Sequence, residues 1–129
     1  MLENVHHINF LVKELDKAVV AFSQLSNSQP KYEQLPNRGA NTARFQLGGT
    51  WLVFVSPTDD DGTIASILRE KGEGIFLISF GSNDILRTLE GLSKTSCRGE
   101  LRKGLANWHV QDVSLEYNFG PILQLCEEH

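Results

Sequence analysis

The sequence predicts an α+β domain in which two βαβββ modules, about residues 1–70 and 71–129, form one curved mixed sheet. Three observations predict it. The first is a pair of matching stretches seventy residues apart, His6-His7-Ile8-Asn9-Phe10-Leu11-Val12-Lys13-Glu14-Leu15 and Phe76-Leu77-Ile78-Ser79-Phe80-Gly81-Ser82-Asn83-Asp84-Ile85. Ile8 falls on Ile78, Phe10 on Phe80, Glu14 on Asp84 and Leu15 on Ile85. The second is a match at an offset of seventy-one, where Gly49-Thr50-Trp51-Leu52-Val53-Phe54-Val55 lies over Gly120-Pro121-Ile122-Leu123-Gln124-Leu125-Cys126. The third is length: 129 residues suffice for one hydrophobic core and not for two. Duplicated units within one core place a pocket between or within the halves.

Charge and composition exclude several classes of function. A formal net charge of −4 without any basic block gives a phosphate backbone no continuous surface, which excludes a nucleic-acid role. No apolar run reaches membrane-spanning length, and the first residues show neither a basic leader nor an apolar signal region. Two cysteines, Cys97 and Cys126, are too few for a disulfide scaffold and lack metal-type spacing. The expectation is a soluble, reduced, cytoplasmic protein.

Residues 5–12 alternate as a strand, with Ile8, Phe10 and Val12 on one face and His7, Asn9 and Leu11 on the other. A helix follows from about Glu14, with Leu15, Ala18, Val19, Phe22 and Leu25 as its apolar stripe. Residues 26–41 are polar, contain Pro30, Pro36 and Gly39, and read as loop with one short strand near Tyr32. Residues 42–47 and 50–55 are strands joined by Gly48-Gly49, a two-residue hairpin that sets Leu47 opposite Thr50, Arg44 opposite Val53 and Thr42 opposite Val55. Asp59-Asp60-Asp61-Gly62 leads into a short helix with Thr63 as cap, Ile64, Ile67 and Leu68 buried, and Gly72 as stop. The acidic run lacks the ligand alternation and closing glutamate of a calcium loop, so its carboxylates are assigned to the helix N-terminus. In the second module, residues 75–80 are a strand, and a helix from Asn83 or Asp84 turns Ile85, Leu89 and Leu92 inward. Residues 93–104 are polar connection, and residues 108–115 and 121–126 are the closing strands.

Each helix needs an apolar sheet face, which Ile8, Phe10, Leu52, Phe54, Ile78, Phe80, Leu123 and Leu125 supply. The opposite, concave face then carries His7, Asn9, Arg44, Trp51, Val53, Val55, Leu77, Ser79, Ile122, Gln124 and Cys126. Apolar walls with a few polar groups suit a small-molecule cavity. Arg44 is the leading candidate for anion recognition, since its guanidinium offers a planar fork to a carboxylate or phosphate. The plainer reading of Arg44 is an ion pair with Glu3, Glu73 or Glu127. Trp51 is a candidate stacking wall, and Trp108 beside His109 could close the pocket. His6 reads as a packing residue, Cys126 as an inert buried thiol, and His129 as solvated.

The chain resembles the vicinal oxygen chelate superfamily of glyoxalase I, methylmalonyl-CoA epimerase, extradiol dioxygenases and the bleomycin- and fosfomycin-resistance proteins. The resemblance is carried by His7 in His6-His7-Ile8-Asn9-Phe10-Leu11-Val12, Leu15-Asp16-Lys17-Ala18, Phe45-Gln46-Leu47-Gly48-Gly49-Thr50-Trp51-Leu52 and Leu123-Gln124-Leu125-Cys126-Glu127. It implies that four concave positions hold a metal in the metal-dependent members, and these fall at His7, Val53, Leu77 and Gln124. Val53 and Leu77 have no donor atom, so no metal is expected; if one binds, His7 and Gln124 would hold a divalent ion such as zinc, nickel or manganese. The function expected is metal-free binding of a small anionic or aromatic molecule, as in the resistance proteins. The residues assigned to it are His7, Asn9, Arg44, Trp51, Val53, Leu77, Ser79, Trp108 and Gln124. The alternative is a lyase, epimerase or isomerase, metal-dependent or based on His7 as its best catalytic candidate. A structural or partner-binding module is the third reading. A homodimer is expected, because a second copy would cover open edges and apolar concave surface.

Overall fold

Alternating apolar residues and tight glycine turns build most of the molecule into strands. The computed structural model describes residues 2–92 and 96–129, and among these nine strands form one continuous mixed sheet. They are β1 (Leu2–Leu11), β2 (Lys31–Leu35), β3 (Ala40–Leu47), β4 (Thr50–Pro57), β5 (Gly74–Ser82), β6 (Cys97–Arg98), β7 (Arg102–Lys103), β8 (Trp108–Ser114) and β9 (Ile122–Glu128). The strand order is β2-β3-β4-β1-β5-β9-β8-β6, with β7 also paired to β8. Each half therefore repeats the same order outward from the centre. The internal matches of the sequence reappear as register: Ile8 pairs with Leu52 in parallel, Ile78 pairs with Leu123 in parallel, and Ile8 faces Ile78 across the antiparallel β1–β5 seam.

Three α-helices pack against this sheet: α1 (Leu15–Ser26), α2 (Thr63–Lys71) and α3 (Ile85–Glu90). Helix α1 lays Val19, Leu15, Ala18 and Phe22 on Phe10, Phe45, Phe54 and Leu52. Helix α3 lays Ile85 and Leu89 on Val113, Leu125, Phe80 and Leu123. The Asp84 carboxylate caps α3 by accepting the Arg87 N–H at 3.1 Å. No helix among the described residues is long and apolar enough to cross a membrane.

The hairpin register is as the Gly48-Gly49 turn predicts, with Leu47 opposite Thr50 and Arg44 opposite Val53. Gly48 takes a left-handed φ of 61°, which a side chain would strain. Several expectations need correction. Leu25, one residue before the end of α1, is 80% exposed and does not join the helix's buried stripe. Gly62, not Thr63, occupies the N-cap of α2; the Asp59 carboxylate accepts the N–H groups of Asp61 and Gly62 and holds the turn before it. The short strand expected near Tyr32 is present as β2, and residues 26–41 also contain a 3-10 turn at Pro36–Arg38. The expected connection at 93–104 contains β6 and β7, while residues 93–95 lie outside the described residues.

The central seam shifts register three times, between Leu2 and Asn4, Val5 and His7, and Asn9 and Phe10, and the last two shifts alter the strand parity at the site. Val5 pairs with Phe80 but His7 with Ser79, so β1 carries His6 as an extra residue; Asn9 pairs with Leu77 but Phe10 with Ile75, so β5 carries Phe76 as an extra residue. A bulge lets neighbouring side chains share one side of a strand. Both His6 and His7 consequently reach Trp108, at ring distances of 4.7 and 4.6 Å. Phe76 joins Leu77 in the concave core with Leu11, Val53, Val55 and Ile64, although simple alternation assigns it to the helix side.

Candidate functional site

Facing residues in a sheet share a surface, and the register lines polar groups up across four strands. His7 faces Ser79, Ser79 faces Gln124, and Gln124 faces Asp112. One pleat further along, Asn9 lies between Val53 and Leu77. From these rows His7, Asn9, Val53, Leu77 and Gln124 form the floor of a cavity of about 60 Å³. Val55, Ile64, Phe76, Leu105, Trp108 and Val110 make its walls, and Arg38, Arg102 and Lys103 also line it.

His7 is 3% exposed and stacks on Trp108. Burial pushes its pKa down to about 3, the charge of His6 adds to this, and the Gln124 amide opposes it. The ring is therefore neutral at physiological pH. His7 Nδ1 lies 2.8 Å from His6 Nδ1, and His6 Nε2 lies 2.8 Å from a Glu128 carboxylate oxygen. A carboxylate only accepts, so His6 Nε2 carries hydrogen. In a neutral pair His6 then accepts at Nδ1, His7 donates from Nδ1, and His7 Nε2 keeps its lone pair.

Gln124 donates its amide N–H to Asp112 at 3.0 Å, and Asp112 also meets the Arg102 guanidinium at 3.3 Å. Gln124 Oε1, Asn9 Oδ1 and Ser79 Oγ are buried with no hydrogen-bond partner among the described residues. An unmet buried polar atom costs about 1–3 kcal/mol, so these atoms call for a ligand or water. Arg38 at the cavity is half-buried and makes no ion pair or hydrogen bond through its side chain among the described residues. Its pKa is lowered by burial first and by the charge of Arg102 second, with Asp112 opposing.

The structure brings His7, Asn9, Val53, Leu77, Trp108 and Gln124 of the expected set into the cavity wall. It places Ser79 beneath that wall, fully buried. Arg44 lies outside the cavity: it is 8% exposed, pairs with Glu33 at 2.8 Å and sits over Trp51 and Trp108 at 5.3 and 5.5 Å. Its partner is thus Glu33 rather than Glu3, Glu73 or Glu127, and Trp51 is occupied by Arg44 and Lys31. His129 is exposed, as expected, and also pairs with Glu127 at 2.7 Å and stacks on His109. Burial and the neighbouring Glu128 and Glu127 push the Cys126 thiol up to about 12, so it is protonated in the metal-free chain. Sequence reasoning missed Arg38, Thr42, Arg102, Lys103 and Phe76. Thr42 was accessible through its pairing with Val55, whereas the three cations stand in segments read as loop.

The four positions at which the family resemblance implies a metal, His7, Val53, Leu77 and Gln124, do come together in the cavity. Only two of them offer a donor atom, neither is charged, and no carboxylate lines the cavity, whereas three cations do. Divalent ions need more and better ligands, and the surrounding positive charge opposes them. A divalent ion does not fit this cavity.

No family model matches the sequence. The fold is that of the vicinal oxygen chelate, or glyoxalase-like, superfamily. Solved structures similar to it include the methylmalonyl-CoA epimerase of Mycobacterium tuberculosis, with a TM-score of 0.86 and 20% identity over 99% of this chain and 89% of that one. The Streptomyces coelicolor methylmalonyl-CoA epimerase, in complex with 2-nitronate-propionyl-CoA, has a TM-score of 0.83 and 20% identity over 99% of both chains. A hypothetical protein of Bacillus halodurans C-125 has a TM-score of 0.87 and 21% identity over 97% of this chain and 94% of its own. A curated relative, the uncharacterized protein YqjC of Bacillus subtilis (strain 168), is 26% identical over 98 residues, 74% of this chain and 70% of that protein.

Proposed function

We propose that the chain is a binding protein for a small anionic molecule, a carboxylate-bearing acyl compound of the CoA-ester kind, without a metal in the cavity. The observation that carries this reading is the cavity's composition: Arg38, Arg102 and Lys103 stand over a floor of unpartnered polar atoms, with no carboxylate in the lining. Guanidinium groups recognise carboxylates through paired, charge-assisted hydrogen bonds. The solved neighbours support the ligand class, since their complexes contain methylmalonyl-CoA and 2-nitronate-propionyl-CoA. At about 60 Å³ the cavity would take only the acyl end, and the remainder of such a ligand would lie outside it. A homodimer belongs to this reading, supported by the open edge strand β2, on which Tyr32 is 61% exposed.

The second reading is proton abstraction beside the acyl group, as in an epimerase. His7 favours it, because it lines the cavity and its Nε2 is not taken up by the His6 contact. A pKa of about 3 makes that base weak, so binding is the better-supported reading.

Calorimetric titration in chelator with methylmalonyl-CoA, succinyl-CoA and propionyl-CoA tests both readings, with light scattering on the same sample expected to give twice the chain mass. The binding reading expects the two carboxylate esters to bind at least about 10-fold more tightly than propionyl-CoA, with no deuterium entering from heavy water. Equal affinities would sink the anion site. Deuterium uptake that is lost in His7→Gln would move the epimerase reading to the front.

A further inference from the structure

A second hollow of about 310 Å³ opens where the start of β1 meets the end of β9, away from the anion cavity. Its lining includes His6, Cys126, Glu3, Glu127 and Glu128, so its charge is opposite to that of the first. One ring nitrogen each of His6 and His7 and the Cys126 sulfur lie within 4.8 Å of one another. All three are buried, at 8%, 3% and 1% exposure. The Cys126 thiol is free and makes no hydrogen bond among the described residues. His6 also has its outer nitrogen, Nε2, on Glu128 at 2.8 Å, the carboxylate–imidazole arrangement that orients metal-binding histidines.

We infer that His6 Nδ1, His7 Nδ1 and Cys126 Sγ form a site for a thiophilic transition-metal ion such as zinc, with Glu128 holding His6 in place. Imidazole and thiolate are the ligands such ions prefer, and three protein ligands leave a fourth position open to the hollow. With metal–nitrogen bonds of about 2.0–2.1 Å, a tetrahedral ion sets its nitrogens about 3.3 Å apart. The Nδ1 atoms, now 2.8 Å apart, must open by about half an ångström. The step balances simply. The ion takes the thiolate sulfur, the thiol proton leaves to water, and the His7 proton moves from Nδ1 to Nε2, where it points toward the anion cavity as a donor. This site shares only His7 with the four positions that the family resemblance implies, and it uses the nitrogen on the other side of the ring. The β1 bulge makes it possible, because a regular strand would turn His6 and His7 to opposite faces.

The test is titration of the untagged, chelator-stripped chain with cobalt(II), followed by displacement with zinc. One equivalent should bind, with a thiolate-to-cobalt charge-transfer band and the intense visible spectrum of a four-coordinate ion. Cys126→Ser and His6→Gln should each abolish the band, and Glu128→Gln should weaken binding by about 10–100-fold. Cys97→Ser should leave it intact. Circular dichroism melts in chelator check that each variant folds. If Cys126→Ser does not, Glu128→Gln carries the test, since that side chain is 52% exposed. Absence of stoichiometric binding, or a band that survives Cys126→Ser, overturns the site. Loss of binding in Gln124→Ala would instead place the ion in the cavity, and also overturns it. The result is independent of anion binding, which is measured in chelator.

Discussion

Replacing Arg38 by glutamine separates a ligand-binding arginine from a structural one. Its guanidinium is half-buried at the cavity, lies under the charge of Arg102, and makes no side-chain hydrogen bond or ion pair among the described residues. Burial and the charge of Arg102 outweigh the attraction of Asp112 and disfavour the ionised form in the folded state, so removing the charge takes away no net stabilisation. The melting temperature in chelator should stay within about 2 °C of the parent or rise. An anion bound in the cavity would lose a charge-assisted hydrogen bond worth about 1.5–3 kcal/mol, a weakening of about 10–150-fold. Calorimetry with methylmalonyl-CoA at low salt reads the affinity, and differential scanning fluorimetry reads the stability. Lys17→Gln is the control: it removes the same formal charge from a side chain 79% exposed, and should change neither. A fall of more than about 4 °C with unchanged affinity would show that Arg38 holds the fold together and would refute the argument.

The remaining predictions concern stability. His7 has a folded pKa of about 3 against the ordinary 6.5, so between these values the unfolded chain binds a proton that the folded chain does not. In chelator, its contribution is fully present above pH 6.5 and is lost as pH falls toward 3. From pH 6.5 to 5, above the carboxylate range, the loss should be about 2 kcal/mol, with about 5 kcal/mol as the upper bound at pH 3. Urea melts should show this slope in the parent and not in His7→Gln; the same slope in both would assign it elsewhere. Phe45 is 1% exposed and packs edge-on against Phe22 at 4.9 Å, so Phe45→Ala should cost about 3–5 kcal/mol. The urea midpoint should fall with an unchanged m-value, and a loss under about 1 kcal/mol would mean that the site collapses around the deletion.

The candidate site was half legible in the sequence, and the two halves differ for a physical reason. His7, Asn9, Val53, Leu77 and Gln124 follow from period-two alternation in central strands, whose parity is constrained by the apolar face that the helices cover. Arg44 has the right parity and the wrong conclusion: β2, the short strand expected near Tyr32 but not in any register, brings Glu33 alongside and takes up its charge. Arg38, Arg102 and Lys103 sit in a 3-10 turn and a two-residue strand, where no periodicity exists to report direction. Strict alternation does not give the directions of Phe76 and His6, because each is the extra residue of a bulge, and a bulge is set by the fit of two strands rather than by either alone.

The sequence by itself determined the duplicated α+β architecture, the hairpin register at Gly48-Gly49 and the side of the sheet that faces the cavity. These depend on local propensity, turn chemistry and repeated apolar spacing, all of which are written within a few residues. Only the tertiary structure decided the sign of the cavity's charge, the partner of Arg44 and the meeting of His6, His7 and Cys126. Those features join residues from distant parts of the chain. Their directions depend on bulges and loop closures whose free energy comes from packing between strands, so no stretch of sequence carries them alone.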